Sequence, residues 1–420
     1  MNKQKRLLVP KLRFPEFKNN EEWHSEHLGS EKVAKFIKNK VSLDELSLET
    51  YISTENLLPD FSGTSISTRL PPSGSFTEYK EADVLISNIR PYLKKVWQAD
   101  RTGACSNDVI VIRAGKEIKP DFLNHILKNE NFITYVMKSA KGVKMPRGDV
   151  SSIKAYPVTF PKFDEQQKIA DFLYSLDNLI ILHSQKLHTL KVYKKSLIQQ
   201  LFPAEGEIVP KLRFPEFSNT KYWENINLDN IAKFVRGPFG GSLKKDIFVK
   251  KGYAVYEQQH AIYGNFQNFR YFISGEKFNE LKRFEVKPND LIMSCSGTMG
   301  KFSLVPPKAP IGVINQALLK ITANSSINVN FLKEIFELPL NQEKLLSQAA
   351  GGAIKNVVGV DQIKKIVIRI PSLKEQQKIA DLLSNIDELI LNQTNKIEIL
   401  RDHKKGLIQL LFPILEESNI

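Results

Sequence analysis

Apolar residues recur at alternating steps of four and three through residues 165–203 (EQQKIADFLYSLDNLIILHSQKLHTLKVYKKSLIQQLFP): Ile169, Leu173, Leu176, Ile180, Leu187, Leu190, Leu197 and Leu201. Such a seam predicts a long helix with a heptad-type apolar stripe. The pattern returns over residues 375–413 at Ile379, Leu383, Ile386, Ile390, Ile397, Leu400, Leu407 and Leu411, and the two stretches are identical at 21 of 39 positions without a gap. Each stripe is broken twice by a polar residue, at His183 and Lys194 in the first copy and at Gln393 and Lys404 in the second. A polar seam residue fixes helix register at a cost in stability, so these four are candidate register residues. Asp164 and Ser372 are candidate caps, and Pro203 and Pro413 end the pattern. About 36 helical residues make a rod of roughly 50–55 Å. Two stripes in one chain are most simply buried against each other.

A second repeated word, VPKLRFPEF, opens at Val9 and again at Val209, and Trp23 and Trp223, then Leu28 and Leu228, follow at matching spacings. Its prolines exclude a helix interior and predict an extended segment that docks its Phe residues. Between word and helix lie short β-branched runs at residues 83–87, 108–113 and 156–160, answered by 290–294, 317–322 and 365–370. Helical patterns interrupt them at residues 119–139 and 330–349. The chain is therefore two tandem α+β halves. The expected boundaries are a first α+β domain at 1–163, a helix at 164–203, a second domain at 204–373, a helix at 374–413 and a tail at 414–420. The words are offset by 200 residues at the start of the halves and by 210 at the end, so the second middle is ten residues longer. The two middles share little identity, which suggests one frame carrying two different reading surfaces.

Composition narrows the function. The net charge of +14 favours a polyanionic partner, of which nucleic acid is the commonest. No apolar run approaches the length of a membrane span, so no membrane partner and a cytoplasmic location are expected. Cys105 and Cys295 read as two reduced structural thiols. Gly297 and Gly300-Lys301 do not make a phosphate-binding loop, because the spacing is short and Phe302 stands where Ser or Thr is needed. Glu285-Val286-Lys287 is half of a nuclease-type motif with no suitable Pro-Asp upstream. His24 and His27 lack further partners for a metal set. No catalytic or metal-ligating residue, and no cofactor, is expected in this chain.

The middles are instead rich in contact chemistry. The first holds Asn88, Arg90, Tyr92, Lys94 and Lys95, then Ser106 and Asn107, then Lys141, Lys144 and Arg147 in a Gly/Pro-broken loop. The second holds Gln258, Gln259, His260, Tyr263, Asn265 and Arg270, then Ser294, Ser296, Thr298 and Lys301, and finally Asn315. Lys and Arg neutralise phosphates. Arg on guanine, and Asn or Gln on adenine, read bases in the major groove. Taken as sets in a basic chain, these residues favour double-stranded DNA over an ordinary solvated surface. A self-contained nuclease or methyltransferase is disfavoured by the missing motifs, and a coiled-coil protein scaffold by the amide- and Arg-rich middles.

The doubled word EQQKIAD, each copy preceded by a strand ending in proline (Pro161, Pro371), the opening VPKLRFPEF and the loop GVKMPRGD at residues 142–149 resemble the specificity subunit of Type I restriction–modification systems. The second half departs from the loop pattern, reading GAIKNVVG at 352–359, so Arg147 has no counterpart there. The resemblance implies two target recognition domains, each reading half of a split DNA site. It implies that the two helices pair as an antiparallel coiled coil, relating the halves by a pseudo-two-fold and setting the spacing. It implies two modification (methyltransferase) subunits using S-adenosylmethionine and two restriction subunits driven by ATP and Mg as partners, with no catalysis in this chain.

Overall fold

The computed structural model describes residues 8–220, 222–348, 355–357 and 359–413. The tail from 414, and residues 352–354 and 358 of the GAIKNVVG stretch, lie outside the described residues. The chain forms two compact units, residues 1–185 with 394–420, and residues 186–393. Each long helix, Phe163–Leu201 and Leu373–Leu411, is one helix of 39 residues that gives one end to each unit.

In the first unit, strands Ala34–Phe36, Val109–Ala114, Val84–Ser87 and Val96–Gln98 form an antiparallel sheet in that order. Every residue of Val84–Ser87 is buried because both faces are covered. Val84 and Ile86 face a core with Trp23, Phe122, Phe132, Ile169 and Leu173, and Leu85 faces a second core with Tyr79, Trp97 and Cys105. A second sheet runs Lys40–Val41, Phe76–Tyr79, Gly103–Cys105 and Tyr51–Ile52, its last pair parallel. A ribbon, His24–His27 with Pro157–Phe160, leads into the long helix.

The second unit repeats this plan with Ala232–Arg236, Leu318–Ala323, Leu291–Ser294 and Phe302–Leu304 in one sheet. Its other sheet has five strands, with Phe248–Val249 and Phe272–Ile273 beside the parallel pair Tyr253–Tyr256 and Gly312–Ile314. The short helices Gln258–Tyr263 and Gly275–Glu280 also lie in this longer middle.

The helical pattern expected at 119–139 is two helices, Pro120–Leu127 and Glu130–Lys138, because Asn129 caps the second with its side chain. That expected at 330–349 breaks at Pro339 into Val329–Glu337 and Pro339–Leu345 and ends in strand Leu346–Gln348. Asp164 lies inside its helix and does not cap it, whereas Ser372 Oγ accepts from Glu375 N at 3.4 Å.

The repeated words belong together for a physical reason. Arg13 donates through Nε and Nη2 to Glu165 at 2.8 and 2.7 Å, and Arg213 does the same to Glu375 at 2.8 and 2.7 Å. Gln166 donates to the carbonyls of Pro161 and Glu117 and accepts from Lys119 N, and Gln376 likewise joins Pro371 O to Asn328 N. The word also meets the end of the other long helix. Leu12 N donates to Leu410 O in the first unit, and Leu212 N to Gln200 O in the second. Phe412 packs on Trp23 and Phe122, and Phe202 on Trp223 and Phe331. Within each unit, then, the start of one long helix shares a core with the end of the other, so the two segments run antiparallel.

Candidate nucleic-acid interface

In both units the selected residues gather at one end of the strands. In the first, the chain leaves Ser87 through a turn in which Arg90 and Lys94 both hold left-handed backbone, φ 52° and 53°. Such non-glycine conformations persist where surrounding contacts over-determine them, often at functional sites. Here Arg90 N donates to Pro146 O at 2.7 Å, Asn88 N to Asp108 O at 2.8 Å, and Gly148 N to Asn88 O at 3.0 Å. Lys141 and Arg147 exchange both backbone hydrogen bonds, and the Arg147 guanidinium lies 3.0 Å from the Asp108 carboxylate. The segments 88–95, 106–108 and 141–148 are thus knitted into one surface, with Arg90, Tyr92, Asn107, Lys141, Lys144 and Arg147 exposed on it.

Two lysines of the set are engaged elsewhere. Lys94 pairs with Glu130 at 2.6 Å. Lys95 donates to Thr54 O at 2.6 Å, and desolvation lowers its pKa. Ser106 is half-buried. Lys40, which the sequence reading missed, donates to Asn107 Oδ1 at 2.9 Å. No local motif marks Lys40, because strand pairing across 37 positions brings it there.

In the second unit, Gln258 donates to Ser296 O, and Asn315 N donates to Tyr256 O at 3.0 Å. Ser296, Thr298 and Lys301 are exposed around the left-handed glycines Gly297 and Gly300. Gln259 is half-buried, and Tyr263 and Asn265 are exposed at the end of Gln258–Tyr263. Arg270 is exposed but holds Glu257 at 2.6 Å.

Two expected contact residues are not at the surface. His260 is fully buried, stacked on Phe269 at 4.3 Å, with ring nitrogens at Glu257 N and Asn268 O. Its amide-rich neighbourhood hid an apolar cage made by Tyr256, Phe266 and Phe269. Ser294 is also buried, because it ends a central strand, and its Oγ accepts from Lys301 N at 3.0 Å. Two exposed apolar residues at these strand ends, Val143 and Phe239, were missed as well.

All the seam positions of the long helices are buried or half-buried, including His183 and Gln393. Lys194 reaches Asp387 at 2.8 and 2.7 Å and Glu334 at 3.2 Å, and Lys404 meets Asp177. These are the same pair in the repeat, 210 positions apart. Beside it the units differ, since Glu334 on the helix Val329–Glu337 stands where Pro120–Leu127 carries buried His125. Burial, then the charges of Lys404 and Lys128, push the pKa of His125 down to about 3.

Cys105 and Cys295 are buried thiols pushed up to about 12 by desolvation. Among the described residues no group of three or more His, Cys, Asp or Glu is placed to hold a metal ion, and no helix is long and apolar enough to cross a membrane.

Residues 32–192 and 220–401 each match the family described as Type I restriction modification DNA specificity domain. The type I restriction enzyme MjaVIII specificity subunit of Methanocaldococcus jannaschii is 23% identical over 328 residues, 74% of each chain. A second protein of that organism, named as the MjaX specificity subunit, is 26% identical over 312 residues, 72% of this chain and 70% of its own. Among solved structures, the S subunit of a Type I system from M. genitalium aligns with TM-score 0.62 at 14% identity, covering 97% of this chain and 100% of its own. A chain from a solved type I R-M system aligns with TM-score 0.55 at 16% identity, covering 92% of this chain and 96% of its own. Both structures share the fold laid out above, and with the family match falling once on each half, this chain belongs to the type I restriction–modification DNA specificity family.

Proposed function

We propose that this chain is the DNA-specificity subunit of a type I restriction–modification complex and that each unit reads one half of a bipartite, asymmetric DNA site. The observation that carries this reading is that two units of one plan present different polar sets at the same strand ends. The first offers Arg90, Asn107, Lys141, Lys144 and Arg147, and the second Gln258, Ser296, Thr298 and Lys301. A common frame with unlike contact residues is what an asymmetric site requires. Cationic side chains supply phosphate affinity, and amides, hydroxyls and Arg90 supply base discrimination. The remaining residues of the two sets support these positions.

On this reading the long helices set the unread gap and dock two methyltransferase subunits that bind S-adenosylmethionine. Two ATP- and Mg-dependent restriction subunits complete the complex, which acts in the cytoplasm. This chain itself is non-catalytic. Residues 1–163 and 204–373 act as the recognition domains. Lys194 and Lys404, with His183 and Gln393, hold the helix register through their partners.

Methylome sequencing of a host with and without the gene tests the reading. Loss of one bipartite adenine-methylation motif is expected. An unchanged methylome while the modification subunits are expressed would sink it.

A further inference from the structure

Among the described residues, the most exposed large apolar side chain of each unit lies at the end of the strands where the polar readers gather. In the first unit it is Val143, 100% exposed. In the second it is Phe239, 93% exposed. An isolated exposed apolar residue needs no explanation in itself. These two differ because both sit on short loops pinned hard to the reading surface.

Val143 follows Gly142, whose φ of +96° makes the turn, and the loop is closed by the paired backbone bonds of Lys141 and Arg147. It is tied down by Arg90 N to Pro146 O at 2.7 Å and by Arg147 to Asp108 at 3.0 Å. Three cations, Lys141, Lys144 and Arg147, lie on the same loop and are themselves exposed. Phe239 stands on a loop that leaves strand Ala232–Arg236. Gly237 N donates to Leu318 O at 2.9 Å, and a Cβ at Gly237 would lie 1.8 Å from Asn315 O, so the loop is pressed onto Asn315. Arg236 donates to Cys295 O at 3.4 Å, and exposed Lys244 and Lys245 follow the loop.

An exposed apolar tip on a loop that also carries or adjoins exposed cations fits a surface that is anionic at its rim and apolar at one point. The major groove of DNA offers that, with phosphates at the edges and the thymine 5-methyl as the apolar group on the base edges. We propose that Val143 and Phe239 are specificity-determining residues, each packing on a thymine methyl in its own half-site. The proposal rests on the reading of the two units as DNA readers, and adds an apolar contact to the polar ones.

The test uses the assembled complex of this chain with its modification subunits and a duplex carrying the bipartite motif found from the methylome. Each thymine is replaced in turn by deoxyuridine, which removes the methyl and nothing else. One position in each half-site is expected to weaken binding about three- to fivefold, the effect of losing one buried methyl. Val143→Ala is expected to abolish that discrimination in the first half-site alone, and Phe239→Ala in the second alone, as a double-mutant cycle detects. Both positions are on the surface, so the variants fold. Deoxyuridine without effect at every position, discrimination that survives the substitutions, or a half-site with no A·T pair overturns the proposal. Failure of the wider reading looks different: exchange of a recognition domain would then leave the methylated motif unchanged.

Discussion

Arg13 grips Glu165 in a two-bonded ion pair at 2.8 and 2.7 Å, with side chains only 6% and 1% exposed. Arg13→Ala strands a buried carboxylate, a loss on the order of 3–5 kcal/mol. The melting transition of the first unit should fall by roughly 10 °C in calorimetry, while that of the second stays in place. An unmoved first transition would show that the pair does not hold the opening word to the helix.

Acid should weaken the first unit through His125. Its folded-state pKa of about 3 lies below the 6.5 of an unfolded histidine, so the unfolded chain takes up the proton first. The contribution of neutral His125 is full above pH 6.5 and is lost as pH falls from there toward 3, at about 1.4 kcal/mol per pH unit. His125→Leu should flatten the dependence of Tm on pH between about 6.5 and 5. An equally steep profile in the variant would assign the acid sensitivity to other groups.

Side chains within the two contact sets should separate into readers and supports. Arg90→Ala should weaken binding to the cognate site by about 10- to 100-fold and relax the first half-site. Thr298→Ala should act on the second half-site only. His260→Ala should instead destabilise the second unit, by opening a cavity against Phe266 and Phe269, with the methylated motif unaltered. A changed motif in the His260 variant would return that residue to the reading surface.

The gap is predicted to follow helix length. Deleting residues 187–193 together with their repeat counterparts 397–403 removes about two turns, roughly 10 Å, or about three base pairs of DNA. Methylome sequencing should find both half-sites unchanged and the gap shortened. Retained methylation at the original gap would rule out the helices as the determinant of spacing.

Much of this was legible because repetition exposed it. The seam Ile169 to Leu201 and its copy follow from periodicity, and the strands at 84–87 and 291–294 from short apolar, β-branched-rich runs. The partners of the repeated words were not legible, since Arg13 and Glu165 meet across 152 positions. Exposure was the weakest inference. The sequence around His260 is polar, yet its ring is caged by aromatics 4 to 9 positions away along the chain. Phe239 looks like core material, and only the loop that Gly237 presses onto Asn315 puts it in solvent.

Because Leu411 and Phe412 complete the core around Trp23, order of synthesis and order of folding run against each other. The first reader leaves the ribosome early but lacks the last turn of its core until Leu411 and Phe412 have been translated. The second unit is drawn from one continuous stretch, 186–393, and can close sooner. An interrupted chain would then carry its first reader unfinished, so that translation itself would act as a checkpoint against a subunit of half specificity. Limited proteolysis of chains arrested at residue 393 should find the second unit resistant and the first one cut.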